Sequence, residues 1–283
     1  MTDNNFTIRT STRPEVEIAV EWAATEGWNP GIHDADCYYS ADSAGFFIGL
    51  LDSEPIATIS AINYSPTFGF IGFYIVKPKY RGKGYGIKIW NEALKKLGGR
   101  NIGLDGVTAQ QENYERSGFK LAHRNIRYEG ISDNRTVDSP EIIKLSTLPF
   151  ETIETYDRPF FPADRSRFIR SWVNQPEGIS LGILQNRKLA GYGVMRACRT
   201  GYKIGPLFAN SSELADLLFL ALRSGIKTKQ PIYLDVPEVN QAGVSLAKRH
   251  NMEVVFETAR MYTGKKPNIP LDRVFGVTSF EIG

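Results

Sequence analysis

Cysteine is scarce in this chain: its 283 residues include two, Cys37 and Cys198, far apart in sequence. That excludes a disulfide framework and predicts reduced thiols, as expected of a cytoplasmic protein. Histidine is scarce as well. His33, His123 and His250 are scattered, and together with the two cysteines they offer no zinc-ligand spacing, so no metal is expected. Long hydrophobic runs are missing. The longest, from Phe68 to Val76, has nine residues, whereas a membrane-spanning helix needs ~20. The opening MTDNNFTIRTSTRPE has no apolar stretch that would serve as a signal peptide. A strong charge excess is lacking too, with 34 basic against 31 acidic residues and a net charge of +3. Nucleic-acid-binding domains usually carry a clustered basic excess, so no such partner is expected.

What is present suits a soluble chain that buries a full core: 42% hydrophobic and 23% charged residues. At ~100–150 residues per domain the length fits two domains. The first half alternates strand and helix signals: a strand over 6–9, a helix over 15–26 beside Pro14, and apolar runs over 46–51 and 56–64 around Asp52-Ser53-Glu54-Pro55 that read as a hairpin. A fully apolar strand over 68–76 ends at Lys77-Pro78. Ile87, Trp90, Leu94 and Leu97 then recur at helical spacing, predicting an amphipathic helix over 86–97 that Gly98-Gly99 stops. A buried strand over 102–105, a short helix over 110–117 and a strand over 121–129 complete this half.

The polar stretch 130–139, GISDNRTVDS, reads as a linker, dividing the chain into domains 1–133 and 140–283. Beyond it the order repeats: a hairpin of 179–185 with 189–196, a helix marked by Leu214, Leu217, Leu218, Ala221 and Leu222, a strand over 232–236, a helix over 239–250 and a strand over 252–262. Ile102-Gly103-Leu104-Asp105 matches Ile232-Tyr233-Leu234-Asp235, 130 positions later, and Tyr128-x-Gly130 matches Tyr262-x-Gly264 at 134. The chain reads as an internal duplication.

One segment has no second copy: Arg81-Gly82-Lys83-Gly84-Tyr85-Gly86, between a buried strand and an amphipathic helix. Glycines let backbone N–H groups turn toward a common point, and a helix N-terminus adds about half a positive charge, so the physical reading is a diphosphate cradle. A P-loop needs Ser or Thr after its lysine, and here Gly84 follows Lys83. A dinucleotide fold needs a different glycine spacing. A glycine-rich turn with a basic surface is the plain alternative.

Together with its surroundings the segment resembles the GNAT superfamily of N-acetyltransferases. The family's Arg/Gln-x-x-Gly-x-Gly/Ala is met by Arg81, Gly84 and Gly86, its lead-in by Val76-Lys77-Pro78-Lys79-Tyr80-Arg81-Gly82, and its downstream Tyr-x-x-x-Gly-Phe by Tyr114 through Phe119. The resemblance covers about 6–130, and the whole chain is similar to a tandem, YitH-like bacterial branch. It implies an α+β fold with mixed sheets in two tandem GNAT-like domains, the second degenerate. It also implies acetyl-CoA as donor, a small-molecule primary amine as acceptor, and a monomer or homodimer without nucleic-acid or membrane partners. A protein amine as acceptor and a non-catalytic acyl-CoA-sensing module are the alternatives.

On that resemblance Gly82, Lys83, Gly84, Tyr85, Gly86 and Ile87 hold the pyrophosphate with Arg81, Tyr74-Ile75-Val76 pair with the pantetheine, and Asn113 also contacts the coenzyme. Tyr114 matches the position that protonates the departing sulfur; its plain alternative is a packed tyrosine. Many relatives place a glutamate on the strand before the loop, where this chain has Phe73 and Tyr74. The base is therefore open: Asp105 acting through water, or a mere anchor as its repeat at Asp235 suggests, with Glu26 as second candidate. Trp28, Asn29, Asp34 and Tyr38 form the expected acceptor wall, or else a capping loop. From the second half Asp157, Arg158, Phe160 and Phe161 are the candidates to close the cleft.

Overall fold

The computed structural model describes residues 5–132, 139–226 and 229–283. Most of the expected linker, 133–138, lies outside them. The first half runs β1 (Phe6–Thr10), α1 (Arg13–Thr25), α2 (Asp34–Ala41), β2 (Phe46–Leu51), β3 (Glu54–Asn63), β4 (Phe68–Val76), α3 (Tyr85–Lys96), β5 (Asn101–Val107), α4 (Gln111–Arg116) and β6 (Lys120–Ile131). The second repeats that order: β7 (Ile142–Lys144), α5 (Phe150–Asp157), α6 (Ser166–Val173), β8 (Ile179–Gln185), β9 (Lys188–Ala197), β10 (Tyr202–Ala209), α7 (Ser212–Ser224), β11 (Pro231–Pro237), α8 (Gln241–Arg249) and β12 (Glu253–Tyr262). A further strand, β13 (Val274–Gly276), follows. No helix among the described residues is long and apolar enough to cross a membrane.

Local chemistry accounts for several boundaries. Thr12 and Glu15 form a capping box at the start of α1, with Pro14 in its first turn. Both expected hairpins form on two-residue turns in left-handed backbone, Asp52-Ser53 and Asn186-Arg187. Helices α2, α5 and α6 escaped the reading of the sequence. Asp-Ala-Asp-Cys-Tyr-Tyr-Ser-Ala carries no clear apolar period, and all three helices have only eight residues. Strand β10 escaped it because Gly205-Pro206 sits in its middle, which ordinarily argues against a strand.

The strands form one sheet in the order β1-β2-β3-β4-β5-β12-β6-β11-β10-β9-β8-β7. The halves have therefore exchanged their last strands. β12 lies between β5 and β6, and β6 lies between β12 and β11. Two buried ion pairs repeat this exchange. Arg260 of β12 grips Asp105 of β5, with Nε–Oδ1 at 2.8 Å, and Arg127 of β6 grips Asp235 of β11 at 2.7 and 2.8 Å. Arg127 and Arg260 are thus the equivalent positions, which moves the expected alignment of the last strands by one residue.

The main core is also shared. Tyr38 of α2 stacks on Trp172 of α6 at 5.8 Å and meets Phe73 of β4 edge-on at 5.4 Å. In the second half the parallel pairing of β10 with β11 stops at Ile204↔Leu234. Into the gap beyond it comes β13, pairing antiparallel with β10, while Val277 N–H donates to Asp235 O at 2.8 Å.

Candidate functional site

The first half has the corresponding gap, and it is open. β4 and β5 pair in parallel from Phe68↔Asn101 to Ile71↔Leu104 and then separate. Beyond that point β4 stays paired with β3, and β5 with β12. Phe73 departs from strand backbone with φ 48°, beside a register shift between β3 and β4 that aims this end of β4 away from β5. The result is a cleft of about 580 Å³.

The glycine loop forms one end of the cleft. Gly82 and Gly84 have φ of 72° and 86°, and Gly84 leads directly into α3. The N–H groups of residues 85–87 belong to the first helical turn and have no acceptor within the helix; the next, of Lys88, donates to Gly84 O at 3.4 Å. At Gly86 a Cβ would stand 2.6 Å from the Tyr74 hydroxyl, so only glycine lets Tyr74 lie against the loop. Arg81 is drawn back beneath it. Its Nε donates to Val76 O at 2.8 Å and its guanidinium pairs with Glu26.

Of the residues expected to contact coenzyme, Tyr74, Ile75, Val76, Arg81, Gly82, Gly84, Gly86 and Ile87 line the cleft. Ile87 is 55% exposed there, whereas its periodicity had assigned it to the core; Ile89, Trp90 and Ala93 form the buried face of α3 instead. Lys83 and Tyr85 do not line the cleft: Lys83 Nζ lies over the Tyr80 ring, and Tyr85 packs on Phe6 at 4.8 Å. Nor does Asn113, whose side chain turns to Gln110 at 2.6 Å.

Tyr114 lines the cleft against Trp90, with ring centroids 5.6 Å apart. Burial, and secondarily Tyr74, push its hydroxyl up to about 12, so it holds its proton at neutral pH. Gly106 makes room for it, since a Cβ there would meet the Tyr114 ring at 2.2 Å. Asp105 and Glu26 also line the cleft, but neither carboxylate is free. Burial pushes the Asp105 carboxyl up; Arg260 opposes this by gripping both oxygens, and Asn125 donates to Oδ1 at 2.8 Å. Glu26 is the partner of Arg81.

Among the residues expected on the acceptor side, Trp28 reaches the cleft. Its carbonyl accepts from Arg127 of β6 at 2.7 Å and from Lys203 of β10 at 3.3 Å, so both halves hold it in place. Asn29 is turned away, exchanging hydrogen bonds with the backbone of Thr200. Asp34 and Tyr38 lie beneath the cleft, wholly buried: Asp34 binds Arg196 at 2.9 Å, and the Tyr38 hydroxyl lies 3.1 Å from both Asp34 and Glu281.

The second half closes the cleft with other residues than those expected. Asp157 is buried against Arg165, Phe160 stacks on Phe208 at 4.2 Å, and Phe161 packs on Tyr64 at 4.7 Å. Arg158 pairs with Glu154 within its own helical segment. The closing wall is Phe256 and Thr258 of β12 with Phe280 and Glu281 of the segment after β13. The strand exchange brings the first pair there. The second pair follows no periodic element, so nothing in the sequence pointed to it.

The sequence matches the Acetyltransferase (GNAT) family over residues 13–119 and the Acetyltransferase (GNAT) domain over 153–276. It is 29% identical over 279 residues to the holothin acyltransferase of Pseudoalteromonas sp., covering 98% of this chain and 95% of that protein. It is 25% identical over 171 residues to the uncharacterized N-acetyltransferase YitH of Bacillus subtilis, covering 59% and 60%. Among solved structures, an acetyltransferase-like protein of Pyrococcus horikoshii superposes with a TM-score of 0.83 at 21% identity, covering 100% and 99% of the two chains. A tandem GNAT protein from the clavulanic acid biosynthesis pathway gives 0.63 at 10% identity, covering 93% and 100%.

Proposed function

Since the chain belongs to the GNAT acetyltransferases, with a domain of that family in each half, we propose that its N-terminal cleft moves an acetyl group from acetyl-CoA directly to the primary amine of a small molecule. The observation that carries this is the open gap between β4 and β5, with the glycine loop at one end and, in its wall, a tyrosine hydroxyl without a hydrogen-bond partner among the described residues. The donor fits the residues present. First-turn N–H groups and two left-handed glycines suit a diphosphate, and the free edge of β4 at Tyr74–Val76 suits strand-like pairing with pantetheine. When bound there, acetyl-CoA supplies an activated thioester. Tyr114 keeps a proton ready for the departing sulfur, and the aromatic wall of Trp28, Phe73, Phe256 and Phe280 excludes water from the reacting atoms.

The closing wall supports a small acceptor, because Phe256, Phe280 and Glu281 cover a side that a protein substrate needs open. The relative named for acyl transfer to holothin, similar over nearly the full length, supports the same reaction class. The test is release of free thiol from acetyl-CoA with a panel of small amines, amino sugars and peptides. Turnover confined to peptides points to a protein acceptor. Thermal stabilisation by acetyl-CoA with no thiol release across the panel points to an acyl-CoA-sensing module instead.

A further inference from the structure

We propose that Glu281, delivered by the segment after β13, accepts the proton of the acceptor amine, so that the second half supplies the catalytic base of the first. The inference rests on the acyl-transfer reading above. Three carboxylates line the cleft, and two of them are ion-paired, Glu26 with Arg81 and Asp105 with Arg260. Glu281 has no cation within ion-pair distance among the described residues. Its Oε2 is held by Ser279 Oγ at 2.6 Å and by the Tyr38 hydroxyl at 3.1 Å. Its Oε1 takes no hydrogen bond from the described residues, although the residue is only 4% exposed. One oxygen is clamped and the other is left to the cleft.

The backbone is placed as deliberately. At Gly72 of β4 a Cβ would stand 1.8 Å from the Glu281 carbonyl oxygen, so the segment lies directly on β4 where that strand parts from β5. Charged groups on neighbouring elements, Asp105 of β5, Arg127 of β6, Arg196 of β9 and Lys203 of β10, act on Glu281 electrostatically.

In the step, Glu281 Oε1 takes one proton from the ammonium and later gives it to water. The freed nitrogen pair forms the C–N bond, and the C–S bond breaks with its electrons passing to sulfur. Tyr114 gives sulfur its proton and is reprotonated by the proton that the acylated nitrogen sheds.

The test compares wild type with Glu281→Gln and Glu281→Asp by thiol release between pH 6 and 9, with coenzyme A affinity from calorimetry. Glu281→Gln is expected to lower kcat/KM ~10²-fold at neutral pH and to bind coenzyme A within threefold of wild type. Its loss should shrink tenfold per pH unit as the free amine takes over. Glu281→Asp, which keeps an acid one methylene shorter, should retain at least a tenth of wild-type activity, and it carries the test if the glutamine variant does not fold. A glutamine variant within threefold of wild type, or an aspartate variant as inactive as the glutamine one, overturns the role of Glu281 alone. A wild-type protein that acylates no amine overturns both readings.

Discussion

Tyr114 lines the cleft with a hydroxyl that burial pushes up to about 12 and that has no hydrogen-bond partner among the described residues. A packing residue needs only the ring, whereas an acid needs the hydroxyl, so Tyr114→Phe separates the two. We expect kcat to fall ~10²-fold, with coenzyme A affinity by calorimetry unchanged. His123 gives a second test at this scale. Buried in β6, and with Arg260 and Lys266 acting against its charged form, its imidazole is pushed down to about 3. The unfolded chain binds the proton near pH 6.5 and the folded chain does not. Stability therefore falls as pH drops from 6.5 toward 3, by up to ~1.4 kcal/mol per pH unit. Denaturant titrations of wild type and His123→Gln should converge in this window as pH falls, if wild type starts the more stable. Parallel slopes remove the assignment.

Among the elements, the glycine loop concentrates conformations that a side chain resists. Gly84 has empty space where a Cβ would go, so Gly84→Ala brings backbone strain of ~1–2 kcal/mol without a clash. A loop that relaxes by rotating this residue turns its amides off the common point. Coenzyme A affinity, read by calorimetry, should drop about tenfold, the equivalent of ~1.4 kcal/mol. This loop was legible in the sequence because glycine, charge and a helix start coincide within a few residues, and Asp52-Ser53 and Asn186-Arg187 made both hairpins legible by the same local chemistry. Partnership of the last strands was not. β6 and β12 carry the same pattern, each with an arginine at the same place, so either strand fits beside either aspartate by its own residues. Glu281 was illegible for a related reason: its position depends on where a non-periodic segment returns after β12, and only the missing side chain of Gly72, some two hundred positions earlier, makes room for it.

For the whole molecule, the duplication has been divided unequally between binding and closure. One gap stays open with its loop, while the other is filled by β13, paired with β10, and by Val277 after it, bonded to Asp235 of β11, before the chain continues to the first gap with Phe280 and Glu281. Exchange of β6 and β12 makes this arrangement indivisible. Without β12, the edge of β5 is bare and Asp105 is a buried carboxylate lacking its guanidinium; without β6, the same holds for β11 and Asp235. Removing one partner of such a pair costs ~3–5 kcal/mol, because the other is left uncompensated away from water. Asp235→Ala should therefore destabilise the open half along with the filled one. Calorimetry should show a single transition shifted down by roughly 6–20 °C, at ~2–4 °C per kcal/mol for a protein of this size. Two resolved transitions, with only the upper or only the lower displaced, are incompatible with strands shared in this way. Residues 1–132 expressed alone should fail to give a sharp melt, since β6 would have lost both of its neighbours and the cleft the wall that closes it.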